Sequence, residues 1–251
     1  MRKLIAVIAV VVLSLSMACA VAEQAESSET TTLASKATEI QEASGESYDL
    51  RNINFVMLED TYGKYIQVYA EVENKKDAPL EMKKSTVLLY HNQKLVDTID
   101  FVQMYPLVLE NKGEVGYLAT FTDVQEDIDD VQVVFKEQEK SFFEIKRYPV
   151  GDIHVVELPS VNNTVRYCIE AAVNNETEEV AYDLNVSFVI KEKETGKIVD
   201  IEEKGLFNNT GILPASSIMV RQELRGMDEL DMEKYEITGM AYTTTLRPIL
   251  P

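Results

Sequence analysis

The sequence predicts an all-β fold, built as two tandem antiparallel β-sandwich domains that follow a signal peptide and a disordered linker. Two observations carry this prediction. From about residue 48, short segments rich in β-branched and aromatic residues alternate with turn residues, as is typical of antiparallel strands. The pattern of the first half also recurs in the second half, about 101 residues later. Each half is therefore expected to be one small β-domain of the same kind.

The repeat is clearest in one strand and in the strand that follows it. In the first of these strands, the first half has Val68, Ala70, Val72 and Asn74, and the second half has Ile169, Ala171, Val173 and Asn175. In the strand that follows, Val87 and Leu89 of the first half match Phe188 and Ile190 of the second. Beyond the next turn the spacing grows to 103, so that Lys94, Val96 and Asp97 match Lys197, Val199 and Asp200. A spacing that changes only at a turn indicates an insertion in one hairpin loop of a duplicated module.

The same pattern predicts the individual strands. Those of the first repeat are Asn52 to Leu58, Tyr65 to Asn74, Lys84 to His91, Lys94 to Phe101, Glu114 to Phe121, Val131 to Lys136 and Phe142 to Arg147. Those of the second repeat are Ile153 to Glu157, Val165 to Val173, Tyr182 to Glu192, Lys197 to Glu203, Ile218 to Leu224 and Tyr235 to Tyr242. Each is short and bounded by turn residues.

Alternation within one strand predicts which face of the sheet is buried. The even-numbered residues from Ile66 to Val72 are apolar, whereas the odd-numbered residues from Gln67 to Glu73 are polar or aromatic. Successive side chains point to opposite faces of a strand, so we expect one dry face and one wet face. Cys168 matches Gln67 in the second copy and is expected on the outward side, as an inert thiol without a base beside it.

Residues 1 to 18 have the pattern of an export signal. Arg2 and Lys3 precede an apolar run from Leu4 to Leu15, which is too short to span a bilayer stably. Two cleavage sites compete after it. Ser16 to Cys19 resembles a bacterial lipobox, in which Cys19 is lipidated, whereas Ala20 to Ala22 is an A-x-A site that would release the chain at Glu23. Because Cys19 and Cys168 are the only cysteines, lipid attachment explains Cys19 better than a disulfide does.

The domain boundaries follow from composition. Residues 19 to 47 are rich in Glu, Ser, Thr and Ala and contain no aromatic residue, so they are expected to form a disordered tether. The two repeats would then cover residues 48 to 148 and 149 to 251. Their linker, Tyr148 to Gly151, is short and contains a proline, which favours a fixed or limited angle and a ligand groove at the junction.

Charge and missing motifs exclude several function classes. The formal net charge is −19, so phosphate backbones would be repelled and nucleic-acid binding is not expected. The chain has no nucleophile elbow, no zinc-binding HExxH motif and no phosphate-binding glycine loop. Its two histidines, His91 and His154, occupy non-equivalent positions of the repeats and are expected to be exposed or at strand edges. The sequence therefore predicts a non-enzymatic protein without a cofactor.

Two acidic segments each precede a late strand. They contain Asp127, Asp129 and Asp130 in the first repeat and Asp228 and Asp231 in the second. The apolar spacing of Val124, Ile128 and Val131 predicts one helical turn that caps the sandwich, with its carboxylates in solvent. Calcium binding by these five aspartates is the alternative, because hard cations prefer clustered carboxylate oxygens, but the spacing of an EF-hand loop is missing.

The strands also carry a family resemblance. Val87-Leu-Leu-Tyr90-His91 resembles the F-x-L-Y-D signature of the FxLYD domains, immunoglobulin-like β-sandwiches of bacterial surface lipoproteins. The second copy, Phe188-Val-Ile190-Lys191, has Lys191 where the signature has Tyr. Glu71 to Asn74 and Ala172 to Asn175 are similar to the family's G-x-V-x-N strand end, and Leu109 to Gly113 and Leu213 to Ser217 to its L-x-P-G turn. The resemblance implies an immunoglobulin-like fold in each half and no common ligand.

These observations together predict a binding or presentation module on the outer face of the cell membrane, anchored only by lipid. The alternative is a freely secreted structural or adhesin-type protein, cleaved after Ala22 and stabilised by calcium. An acidic body favours a cationic or neutral partner, whose binding weakens with salt. That partner would be a protein or ligand of the envelope or the exterior. Two other hypotheses remain. An exposed sheet edge could pair with a strand of a partner protein, or the chain could act as a spacer without any partner.

Overall fold

The structure is a computed structural model of the chain, which describes residues 31–33, 46–81, 85–100, 102–135, 141–161, 164–206, 211–224 and 233–246. Within these ranges the protein is all-β: every regular element is a strand, and every strand pairing is antiparallel. No helix in the described residues is long and apolar enough to cross a membrane. The predicted signal peptide, Cys19, Asp228 and Asp231 lie outside the described residues.

Ten strands belong to the first half of the chain. They are β1 (Thr31–Leu33), β2 (Tyr48–Asp60), β3 (Gly63–Asn74), β4 (Leu80–Glu81), β5 (Thr86–His91), β6 (Lys94–Ile99), β7 (Gln103–Tyr105), β8 (Val108–Leu109), β9 (Val115–Val124) and β10 (Asp130–Val134). Seven belong to the second half: β11 (Phe143–Tyr148), β12 (Val150–Val161), β13 (Thr164–Asn175), β14 (Leu184–Glu192), β15 (Ile198–Leu206), β16 (Ser216–Glu223) and β17 (Tyr235–Leu246).

The first half forms two main sheets around one core. One has the order β1-β2-β3-β9-β7 and the other the order β10-β5-β6, with β4 and β8 paired beside them. The inward side chains of both sheets meet in a single apolar cluster that includes Leu50, Ile66, Val72, Leu89 and Leu118. Alternation along β3 correctly predicted this face, because Ile66, Ala70 and Val72 are fully buried.

The second half repeats this pairing order. Its sheets have the orders β12-β13-β16 and β11-β17-β14-β15, and they enclose a separate cluster that includes Ile169, Val173, Val186, Phe188 and Ile190. Strands β12, β13 and β16 take the places of β2, β3 and β9, whereas β17, β14 and β15 take those of β10, β5 and β6. The fully buried Val72 pairs with Leu50, and the equally buried Val173 pairs with Val150.

The register reproduces the spacings found in the sequence. Leu89 faces Asp97 in the first half and Ile190 faces Asp200 in the second, so the spacing of 103 beyond the turn holds in the paired strands. A bulge interrupts β2 between Arg51 and Asn54, and another interrupts β12 between Gly151 and His154. Each bulge contains one residue at positive φ, Asn52 at 51° and Asp152 at 51°. Bulges conserved in place indicate that the same bend is built into both halves.

Asn74 and Asn175 close equivalent strand ends. Asn74 Nδ2 donates to the carbonyls of Ala78 (2.9 Å) and Leu109 (3.2 Å), and Asn175 Nδ2 donates to those of Glu179 (2.7 Å) and Ile212 (2.8 Å). Leu109 thus corresponds to Ile212. The sequence comparison had aligned Leu109 with Leu213, which is one residue too far along the chain. The sequence does not distinguish the apolar neighbours Ile212 and Leu213, whereas in the structure Ile212 is 5% exposed and accepts the Asn175 hydrogen bond, and Leu213 is 63% exposed.

Four further predictions need correction. The segment Phe142 to Arg147, assigned to the first repeat, forms β11 and pairs with β17 of the second half. The predicted linker Tyr148 to Gly151 therefore joins two strands of the second half, β11 and β12. Within the predicted tether, Thr31–Leu33 forms β1 and extends the edge of β2. The predicted helical turn at Val124 to Val131 is instead the end of β9, a non-helical connection over residues 125–129 and the start of β10, and Val124 and Ile128 reach the core without a helix.

The predicted wet face of β3 is also buried in part, because the second half covers it. Tyr69, Tyr117, Val189 and Ile198 form an apolar cluster between the halves, and Val108 packs with Ile145 and Tyr242 beside it. Polar contacts accompany this cluster. Asn54 Nδ2 donates to the carbonyl oxygen of Ile198 at 2.6 Å, and Tyr69 OH donates to Asp200 Oδ1 at 3.4 Å. The halves thus share a packed interface. The ligand groove expected at the junction stays a prediction.

A candidate binding surface at the end of the first half

The candidate surface begins at the turn between β2 and β3. Asp60 pairs with Gly63, so only Thr61 and Tyr62 form the loop of this hairpin. Gly63 has a φ of 147°, which L side chains rarely adopt. A two-residue loop has no room to fold its side chains back, and Tyr62 is accordingly 97% exposed. The tip lies at the opposite end of β2 from Ser47, about 40 Å away for a strand of this length.

A second aromatic residue lies beside the turn on the neighbouring strand. Phe121 of β9 is 57% exposed and makes an edge-to-face contact with Tyr65, with ring centroids 5.1 Å apart. An open hollow of about 850 Å³ is lined by the aromatic residues Tyr62, Tyr65 and Phe121 together with Lys64, Asp123 and Gln125. Asp123 pairs directly with Tyr65 between β9 and β3. A smaller hollow of about 120 Å³ adjoins it, beyond the rim formed by Asp123, Val124 and Gln125. We call this region, Tyr62 to Tyr65 with Phe121 to Gln125, the tip surface.

The second half has different chemistry at the same place. Tyr65 corresponds to Arg166 and Phe121 to Glu223, and these two form an ion pair. The loop residues Thr61 and Tyr62 correspond in sequence to Asn162 and Asn163. The fold is therefore compatible with charged side chains at these positions, and it does not require the exposed rings of the first half. Exposed aromatic residues that the fold does not need point to an interaction surface.

Some charged side chains at the tip surface form ion pairs and others do not. Lys64 Nζ lies 2.5 Å from Asp127 Oδ1. This hydrogen bond raises the pKa of Lys64 and lowers that of Asp127. In the described part of the chain Asp123 and Glu126 make no ion pair, so their carboxylates leave the rim negative. The sequence analysis missed this site, although a comparison of Tyr65 and Phe121 with Arg166 and Glu223 could have found it.

The calcium candidates of the first half point in different directions. Asp127 binds Lys64, whereas Asp129 Oδ2 accepts a hydrogen bond from the backbone amide of Asn92 at 2.7 Å. Asp130 begins β10 and pairs with Tyr90. Among the described residues, no three His, Cys, Asp or Glu side chains are grouped closely enough to hold a metal ion. Asp228 and Asp231 lie outside the described residues, so their half of the calcium hypothesis stays a prediction.

The remaining candidates for chemistry are the two histidines and Cys168. His91 Nδ1 lies 3.7 Å from Asp129, and His154 Nε2 lies 3.2 Å from Glu170. Cys168 was expected outside, yet it is only 5% exposed. Burial raises the pKa of its thiol, with a further contribution from Glu170. Because a raised pKa reduces the thiolate fraction, Cys168 is poorly suited to nucleophilic chemistry.

Comparisons with known proteins identify no relative of this chain. No family model matches it, and no curated protein or solved structure is significantly similar to it. The function must therefore be inferred from the surface itself.

Proposed function

We propose that this protein is a non-enzymatic binding or presentation module of the cell surface. In this proposal residues 1 to 18 direct export, Cys19 carries the lipid anchor, and the two halves are tandem immunoglobulin-like sandwiches of the FxLYD type. The repeated pairing order of the two halves supports the fold assignment. The buried Val87 and Leu89 of the F-x-L-Y-D segment support it further, since they supply the inward face of β5.

One observation carries the binding role: the first half exposes aromatic rings where the second half has an ion pair. Tyr62 is exposed at the turn between β2 and β3, and Phe121 is exposed on the neighbouring β9. Thr31–Leu33 of the predicted tether pairs with Met57–Glu59, next to the same end of β2. Exposed rings that the fold does not need favour contact between the tip surface and a partner molecule.

Photo-crosslinking at the tip surface tests this role. The photoreactive amino acid p-benzoylphenylalanine would replace Tyr62 in the cell-expressed chain, and Tyr182 in a matched control. Tyr182 is an exposed aromatic residue of the second half, 54% exposed against 97% for Tyr62. We expect a discrete adduct from position 62 that is missing from position 182. Equal adducts from both positions, or none, would contradict binding by the tip surface.

The anchor is tested by mass spectrometry of the native mature N-terminus. A lipid-modified Cys19 at the first position supports the surface-anchored protein. An N-terminus at Glu23 defeats the anchor and favours the alternative, a freely secreted adhesin or structural protein. The binding role of the tip surface is compatible with either outcome, since the folded halves are the same.

A further inference from the structure

The tip surface combines two features that together recognise a cation. Tyr62 and Phe121 expose aromatic side chains, and Asp123 adds a carboxylate to the lining of the same hollow. A cationic group over an aromatic ring is attracted by the ring's negative face, and a carboxylate beside it adds charge and a hydrogen-bond acceptor. Lys64, the basic residue of this lining, is already paired with Asp127.

The described part of the chain contains the same combination inside the fold. At the interface between the halves, Lys191 Nζ lies 4.9 Å from the ring centroid of Tyr117 and forms an ion pair with the buried Glu71. Lys191 stands where the first half has Tyr90 of the F-x-L-Y-D segment. A lysine side chain is thus accommodated between an aromatic ring and a carboxylate of β3 and β9, the two strands that also carry the tip surface.

Charge complementarity decides the class of partner. The chain has a formal net charge of −19, and Asp123 and Glu126 leave the rim negative. An anionic surface or polymer would be repelled, whereas a basic peptide segment is attracted and can place a cationic side chain against the exposed rings. We propose that the tip surface binds a lysine- or arginine-bearing polypeptide segment of a partner protein. This inference rests on the proposed function, since it names the ligand chemistry of the same surface.

Binding of a defined peptide to the purified mature chain tests the inference. The probe is a labelled peptide of alternating lysine and glycine, measured by fluorescence anisotropy. Peptides with glutamate or serine in place of lysine serve as controls. We expect saturable binding of the lysine peptide alone, weakening as salt is raised. Equal binding of the glutamate or serine peptide, or no binding of the lysine peptide, would overturn the inference.

Two variants separate specific recognition from net charge. Tyr65→Arg combined with Phe121→Glu transplants the ion pair of the second half, leaves the net charge unchanged and should weaken lysine-peptide binding about tenfold. Asp123→Asn should weaken it about fivefold, whereas Glu157→Gln, which removes one exposed charge from β12, should change it less than about twofold. The proposed site would be wrong if Asp123→Asn and Glu157→Gln weakened lysine-peptide binding equally. It would also be wrong if the double variant Tyr65→Arg with Phe121→Glu bound the lysine peptide as tightly as the wild type does. Thermal unfolding of each variant checks that the fold is retained.

The binding role of the tip surface and its preference for a cationic segment can be rejected separately. A specific crosslink at position 62 without lysine-peptide binding would overturn the cation inference and leave the surface role standing. Absence of both would reject the tip surface as a binding site.

Discussion

At the residue scale, the equivalent asparagines of the two halves show how one side chain fixes an irregular strand end. The side chains of Asn74 and Asn175 donate to two carbonyls each, and each Oδ1 accepts a backbone amide two residues further on, from Lys76 and Thr177 at 3.1 Å. An amide side chain can donate and accept at once, which a carboxylate or a hydroxyl cannot do equally well. The sequence repeat identified these positions, and the hydrogen bonds give the reason for Asn.

Replacing either asparagine by alanine should therefore destabilise its half. Asn74→Ala and Asn175→Ala each remove at least three hydrogen bonds at a buried site, and each should lower the free energy of unfolding by about 2 to 3 kcal/mol. The measurement is urea unfolding followed by circular dichroism. Gln132→Ala, at an exposed position of β10, is the control and should cost less than about 0.5 kcal/mol. A loss from the asparagine variants no larger than that of the control would contradict this role.

At the element scale, alternation predicted the inner faces well and the outer faces poorly. The even-numbered residues of β3 form the core, as predicted, because the core-facing side of a strand must be apolar whatever surrounds the domain. Tyr69 and Glu71 on the other face are buried as well. Alternation states which side of the sheet a residue faces, but it does not state whether another element covers that side.

Strand pairing was harder to predict than strand existence. The segment that forms β11 has a clear strand pattern, yet its partner is β17 and not a strand of the first half. Local sequence carries little information about a distant partner, since any compatible edge would satisfy the same backbone groups. The acidic segment after β9 shows a related limit. Its apolar residues have helical spacing, but the end of β9 brings Val124 to the core and the connection after it brings Ile128 there equally well.

The candidate site was beyond reach of motif analysis for a similar reason. Tyr62 and Phe121 lie far apart in sequence and become neighbours only because β3 pairs with both β2 and β9. Neither residue belongs to a motif. What the sequence did contain was the contrast between repeats, because a duplicated fold shows which positions can change without loss of structure.

At the scale of the whole molecule, the interface between the halves gives one repeated residue two different environments. Asp97 and Asp200 occupy equivalent positions, and each Oδ1 accepts a hydrogen bond from the next backbone amide, at 2.7 and 2.8 Å. Asp97 is exposed, whereas Asp200 is covered by Tyr69 of the other half. Burial, with the nearby charge of Glu202, raises the pKa of Asp200 to about 7. Burial also raises the pKa of Tyr69, and that of Tyr105 beside Glu203 and Glu202.

This difference predicts that pH acts on stability through Asp200. A carboxyl with a raised pKa binds its proton more tightly in the folded state than in the unfolded state. Its protonated form therefore favours folding at low pH, and that advantage is lost as the pH rises from about 4 to about 7. Asp200→Asn removes this titration and retains an oxygen acceptor for Tyr69 and for the amide of Ile201. From about pH 5 to about pH 8, the wild type should lose roughly 2 to 4 kcal/mol relative to this variant.

Asp97→Asn provides the matched control, because it makes the same substitution at the equivalent exposed position. Its free energy of unfolding should run parallel to that of the wild type over the same range, because the substitution leaves Asp200 and its contact with Tyr69 in place. Urea unfolding of the three proteins at several pH values gives the comparison directly. If the free energies of unfolding of Asp200→Asn and Asp97→Asn change in parallel from about pH 5 to about pH 8, the interface does not hold Asp200 in its protonated form. A growing gap would make the contact between the halves the pH-dependent part of the fold, tightest in mildly acidic surroundings.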